Sequence, residues 1–244
     1  MIDPDDIAEL IPGHIFRDND PTTLYWIRDK TVVYRHYPLR GADVESFRFY
    51  KSSLAKDHRH CYVANSRLTD GNGPTFRPLN FSYYTDGNLI WTFGGQIKEA
   101  DAESFVTCDD GMRVVLGAKM PFGYARDKNH VYYYDNTGKP KLVRKASPAS
   151  FVSFNDGEYG MDENFIFCGA ATIPKADVTT WKRLRGPYSR DGYRAFWLTR
   201  EIKGADLDSF VAPETPFFPV AQDKNHYYSQ DQIIDRAEFE THLK

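Results

Sequence analysis

Tyr124-Ala-Arg-Asp127-Lys-Asn-His-Val131-Tyr132-Tyr133 is the stretch from which the rest of the chain is read. Apolar and polar residues alternate on either side of an Asp-Lys-Asn interruption. Aromatic and β-branched residues suit a pleated, half-buried strand, and Asp and Asn tolerate the positive φ of tight turns. The stretch therefore predicts a β-hairpin. It returns as Val220-Ala-Gln-Asp223-Lys-Asn-His-Tyr227-Tyr228 and as Trp26-Ile-Arg-Asp29-Lys-Thr-Val-Val33-Tyr34. Looser copies surround Asp57, Asp86, Asp162 and Asp191. Each copy has an apolar residue three places before its Asp, and successive Asp residues lie 28, 29, 41, 35, 29 and 32 apart.

A second phrase follows each hairpin. It reads Gly41-Ala42-Asp43-Val-Glu-Ser46-Phe47, Glu99-Ala100-Asp101-Ala-Glu-Ser104-Phe105, Lys175-Ala176-Asp177-Val-Thr-Thr180-Trp181 and Gly204-Ala205-Asp206-Leu-Asp-Ser209-Phe210. Weaker copies end at Phe76, Phe151 and Phe239, with Asn72, Ser147 and Asp235 in the Asp position. An Asp, Asn or Ser four residues before an aromatic reads as an N-cap that accepts hydrogen bonds from the first free amides of a helix. Ala before the cap and the aromatic after it match a hydrophobic staple. These helices must be short, one to two turns, because strand signals resume soon afterwards.

The expected fold class is mainly β: a tandem array of about seven β-hairpin plus short-helix repeats of about 30 residues. The units are read at 23–50, 51–79, 80–106, 121–152, 156–184, 185–211 and 217–240, with two clear strands each. Residues 1–22 read as an N-terminal cap segment or short helix, and 23–244 as a single repeat domain. Three segments break the period: 106–123, 135–145 and 211–219. Excursions of this kind collect on the binding face of repeat proteins.

Composition excludes several classes. The chain has 244 residues, 31 Lys+Arg against 34 Asp+Glu, and a net charge of −3, so it carries no basic footprint for nucleic acid. Its apolar runs are far shorter than the roughly 20 residues a membrane-spanning helix needs. Its acidic start, without an apolar leader, reads as cytoplasmic; a periplasmic location follows if a signal peptide has been trimmed. Cys61, Cys108 and Cys168 are too far apart for a metal motif and odd in number, and read as reduced thiols.

Chemistry-bearing patterns are few. A nucleophile elbow, a Walker loop and His-Glu-x-x-His are absent from the sequence. Asp57-His58-Arg59-His60-Cys61 is the densest run of metal-ligand types, but it occupies a hairpin-turn slot and reads as a solvated turn. No catalytic residue, cofactor or metal is called for. Asp109 and Asp110, in a locally acidic stretch, suit a basic partner. Tyr132, Tyr133 and Tyr134 run consecutively, so one ring should face outward, and Tyr134 is taken as a contact residue with Phe217 and Phe218 in the last insertion.

Asp127-Lys-Asn-His-Val-Tyr-Tyr and Asp223-Lys-Asn-His-Tyr-Tyr, together with the Gly-Ala-Asp-x-x-Ser-Phe type of phrase, resemble the bacterial DKNYY repeat family over roughly residues 24 to 240. The resemblance implies a non-enzymatic protein often encoded beside toxin or secretion-system effector genes. The expected function is that of an immunity protein, binding a cognate toxin or effector and neutralising it by occlusion. The alternative is a repeat protein of the cell envelope that binds a glycan or small ligand through exposed Tyr and Trp. The resemblance transfers no functional residue.

Overall fold

The structure is a computed structural model that describes residues 6–10, 20, 23–50, 52–115, 117–216 and 218–243. The protein is mainly β, and its described strands form eight small antiparallel sheets. The chain divides into two compact units, residues 1–142 with 154–158, and residues 143–153 with 159–244.

In the first unit, Tyr25–Arg28, Thr31–Tyr34 and Tyr37–Pro38 form a three-stranded sheet. Arg48–Phe49, Leu54–Lys56, Cys61–Val63 and Ser66–Arg67 form a meander, with Ala8–Glu9 added at the edge of Arg48–Phe49. Two further four-stranded meanders follow: Arg77–Pro78 to Gly95–Gln96, and Val106–Thr107, Gly123–Arg126, Val131–Tyr134 and Lys141–Leu142. An extra hairpin, Met112–Val115 with Ala118–Pro121, is inserted between the first two strands of the last of these sheets. The second unit holds the meanders Val152–Ser153 to Ala171–Thr172 and Lys182–Arg183 to Arg200–Ile202. It ends with a three-stranded sheet, Val220–Gln222, Tyr227–Ser229 and Gln232–Ile234, and the helix Arg236–His242.

Three expectations need correction. Four of the eight sheets have four strands and three others have three or five, where two were read, because the outer strands are only two or three residues long and show no alternation. The Asp copies of the second phrase cap as expected, but a helix forms only at Asp235, where the carboxylate accepts from the Glu238 amide. Elsewhere the phrase makes a single turn: Asp101 accepts from the Ser104 amide at 3.0 Å, and Phe105 then leads directly into the strand at Val106. Within the segment read as a cap or short helix, the described residues hold the strand Ala8–Glu9, paired with Arg48–Phe49, in place of a helix. The rest of 1–22, apart from 6–10 and 20, lies outside the described residues.

The aromatic that ends each second phrase forms the core between neighbouring hairpins. Phe47 is fully buried, with its ring centroid 5.3 Å from Tyr25 in the hairpin before it and 5.6 Å from Tyr62 in the hairpin after it. Phe105 sits in the same way between Tyr83 and Tyr132, 5.7 Å from each. In the second unit Phe210 lies 6.3 Å from Tyr188 and 5.7 Å from Tyr228. The expected staple is present, since Ala42, Ala100 and Ala205 pack in the clusters of Phe47, Phe105 and Phe210. No single hairpin buries its own aromatic face, so the sheets are stable only side by side.

Candidate functional site

The recurrent Asp is buried in six hairpins: Asp57, Asp86, Asp127, Asp162, Asp191 and Asp223. Its Oδ1 accepts from the backbone amides two and three residues on; for Asp127 these are Asn129 and His130, both at 2.7 Å. Its Oδ2 accepts the backbone N–H of the cap residue in the preceding second phrase. The bonds run from Asp43 to Asp57 at 3.1 Å, Asn72 to Asp86 at 2.9 Å, Asp101 to Asp127 at 2.8 Å and Ser147 to Asp162 at 2.8 Å. Asp177 to Asp191 at 2.9 Å and Asp206 to Asp223 at 2.8 Å complete the series. One carboxylate thus closes a hairpin tip and ties it to the turn before it. Tyr62, Tyr132 and Tyr228, five residues after Asp57, Asp127 and Asp223, each donate a hydroxyl to Oδ2 at 2.6–2.7 Å.

After three of the six brackets the next residue covers the cap. Lys128 reaches Asp101 at 2.8 Å and Lys224 reaches Asp206 at 2.7 Å, while His58 takes this place over Asp43 at 3.2 Å. The tyrosine three places before the bracket reaches forward to a later module. Tyr83 donates to the Gly123 carbonyl at 2.9 Å, Tyr124 to Glu158 at 2.8 Å and Tyr159 to Pro187 at 2.9 Å. Asp, Lys and Tyr of the motif are all engaged in holding the fold.

Burial by itself would raise the carboxyls of Asp57, Asp127 and Asp223, but the donors gathered around each hold them below the ordinary value. Bonds from Lys128 and Ser104 bring Asp101 down to about 2. A carboxyl with a lower pKa folded than unfolded contributes stability that is complete above the unfolded value, near 3.9, and is lost as pH falls through the folded one. The urea midpoint should therefore stay level from pH 7 to about 5 and fall steeply between about pH 4 and 2. A midpoint unchanged at pH 2 would contradict the bracket. Burial also pushes the Cys61 and Cys108 thiols up to about 12, which leaves both as inert thiols at neutral pH.

The sequence-predicted contact residues have different fates. Asp109 accepts from the Gly111 amide at 2.9 Å and the Tyr124 amide at 2.8 Å, pinning the two roots of the inserted hairpin. Asp110 is tied to Asn155, its amide donating to Oδ1 at 2.9 Å and the Asn155 amide group donating back to its carboxylate at 3.3 Å. Tyr134 is 2% exposed, inside the cluster of Tyr83, Ile90 and Tyr132, so the outward ring expected of the Tyr132 to Tyr134 run does not occur. Both faces of that strand are covered. Phe218 is 69% exposed, with its ring 6.1 Å from His242, and Phe217 lies outside the described residues.

Among the described residues no three His, Cys, Asp or Glu converge on a metal position. Ser46, His58 and Asp43 have a relay's composition without its geometry. The imidazole Nδ1 faces both Ser46 Oγ at 2.8 Å and Asp43 Oδ2 at 3.2 Å, and Nε2 accepts from Arg59 Nε at 2.8 Å. No ring nitrogen is left to serve the Ser46 hydroxyl as a base.

The feature that sequence reading flagged only as a gap is the inserted arm. Val114 and Val115 are 61% and 39% exposed, and Lys119 is exposed opposite Val114. At the root, Arg113 pairs with Glu158 at 2.9 Å and lies over the Phe122 ring. The Val-Val and Ala-Lys-Met runs flanking Leu116-Gly117 were the available signal, a two-residue turn between short strands.

Together these features define a mainly β protein of recurring hairpin modules, six of them bracketed by a buried Asp. The chain belongs to the DKNYY family, which matches residues 83–232, more than half of its length. No curated protein and no solved structure matches it. No helix among the described residues is long and apolar enough to cross a membrane.

Proposed function

We propose that this protein is a non-enzymatic protein-binding module, and specifically an immunity protein that neutralises a cognate toxin or secretion-system effector by occlusion. The supporting observation is the division of labour along the chain. Motif residues are spent on brackets, lids and pins, whereas the Met112–Val115 and Ala118–Pro121 arm departs from the repeat and turns apolar side chains outward. An exposed apolar hairpin with two unpaired edges is costly to keep in water and suits a partner that covers it. Strands formed beforehand limit the ordering cost of binding.

The test is a pull-down from cells expressing the neighbouring genes, with the parent chain and a Val114→Asp, Val115→Asp variant. The parent should retain one stoichiometric partner whose toxicity is relieved on co-expression. The variant should lose that partner at least tenfold while its melting temperature stays within a few degrees, since surface substitutions cost about 0.5 kcal/mol. Equal capture by the variant removes the arm from the interface. Absence of a stoichiometric partner for either chain overturns the binding reading.

A further inference from the structure

In the second unit three corresponding turns carry cations that the fold does not use. Each lies between the last strand of a module and the second phrase, and its two central residues are Arg144-Lys145, Pro174-Lys175 and Lys203-Gly204. The first two are closed by backbone bonds, from the Ala146 amide to the Val143 carbonyl at 3.2 Å and from Ala176 to Ile173 at 3.4 Å. The second central residue is left-handed in all three, with φ of 73° at Lys145, 62° at Lys175 and 77° at Gly204. Such a turn asks for glycine, which stands there at Gly204 and, in the first unit, at Gly41. A lysine in this conformation is strained, so keeping Lys145 and Lys175 there works against stability. The cap bonds from Ser147 to Asp162, Asp177 to Asp191 and Asp206 to Asp223 repeat one local geometry, so the three turns are presented alike.

The charge on these turns is not offset. Arg144, Lys145, Lys175 and Lys203 are exposed, and among the described residues none has a carboxylate partner. Lys145 has only the face of the Phe165 ring, 5.6 Å away. Arg194 donates to the Lys175 carbonyl at 3.0 Å, which brings a further cation to that turn. Residues 143–153 and 159–203 hold ten Lys and Arg against five Asp and Glu. Two of those five, Asp162 and Asp191, are buried brackets. Asp177 accepts from the Thr179 amide and hydroxyl at 2.8 and 2.6 Å, Glu163 accepts from Asn164 at 3.4 Å, and Glu201 lies 3.8 Å from Arg194. In the first unit the same turns read Arg40-Gly41, Thr69-Asp70 and Lys98-Glu99, where acidic residues offset the bases.

We infer that the turns Arg144-Lys145, Pro174-Lys175 and Lys203-Gly204 form a docking face for an acidic protein surface, one that presents several Asp or Glu carboxylates. The whole chain is negative, at −3, and repels a long polyanion such as nucleic acid, whereas a compact acidic patch meets only the local excess of cations. The inference rests on the protein-binding reading above and gives it a second face, separate from the arm.

Fluorescence anisotropy of a labelled decaglutamate peptide, titrated with the full chain at low ionic strength, tests it. Saturable binding that weakens with added salt is expected. Lys145→Gly with Lys175→Gly gives both turns the residue of their counterparts, so the affinity should fall about tenfold or more while the melting temperature holds or rises. Undiminished affinity in that variant overturns the face. So does an equal loss in Arg40→Gln with Lys98→Gln, which removes the same charge from the first unit. Tighter binding of an oligothymidylate of equal length overturns the acidic-protein reading in favour of nucleic acid. The titration uses neither a cellular partner nor the arm, so its failure removes this face and leaves the pull-down result standing.

Discussion

Asp127→Ala should destabilise the fold by about 4 kcal/mol or more, most of what a domain of this size has to spare. Removing the carboxylate strands four donors in a dry place: the amides of Asp101, Asn129 and His130 and the Tyr132 hydroxyl. Each buried donor left unpaired costs about 1–3 kcal/mol. Asp127→Asn keeps the shape and one acceptor oxygen, so it should cost about half as much. Lys128→Ala, one residue along, removes only a solvent-exposed ion pair and should lower the urea midpoint far less than either Asp127 variant. Urea unfolding of the three variants gives the order directly. Equal losses at Asp127 and Lys128 would mean that the motif acts through surface charge.

Phe47→Ala should cost about 3–5 kcal/mol, the usual range for emptying a buried aromatic site. Its effect should also be local, because the ring belongs to two hairpins at once and each module contacts mainly its neighbours. Hydrogen exchange should show the amides of Tyr25–Arg28 and Cys61–Val63 losing protection well before those of Val131–Tyr134. Uniform loss over all three strands would mean that the modules of this unit unfold as one block.

The hairpins were legible because alternation and an Asp-x-Asn interruption are local signals, and the caps because Asp or Ser before an aromatic has one short-range use. The bracket was not legible. Positive φ was the expected reason for Asp at the tip, and this holds only at Asp29, where φ is 48° and that of Lys30 is 61°. The six buried Asp residues are there for their oxygens, which meet an amide 14 to 26 residues earlier. The third strands were missed for a related reason. They follow tight turns whose positive-φ residues include Ala64 and Leu198, at 53° and 52°, and neither residue type advertises a left-handed turn. Of the candidate site, the insertion at 106–123 was visible as a broken period. The bonds of Asp109 within it were not legible, because an Asp looks the same in sequence whether it faces a partner or two backbone amides.

The reach of the brackets bears on how the chain is made. Each tie runs from a cap amide to a carboxylate 14 to 17 residues later, or 26 where the arm intervenes, and the tyrosine pins reach 28 to 40 residues ahead. Contact order is therefore low for a β protein, whose strand pairings are usually distant and slow to find. A module can close as soon as its own bracket has left the ribosome, with the preceding tyrosine already waiting for the next carbonyl, so folding can follow synthesis from the N-terminus with little unpaired edge exposed at any moment.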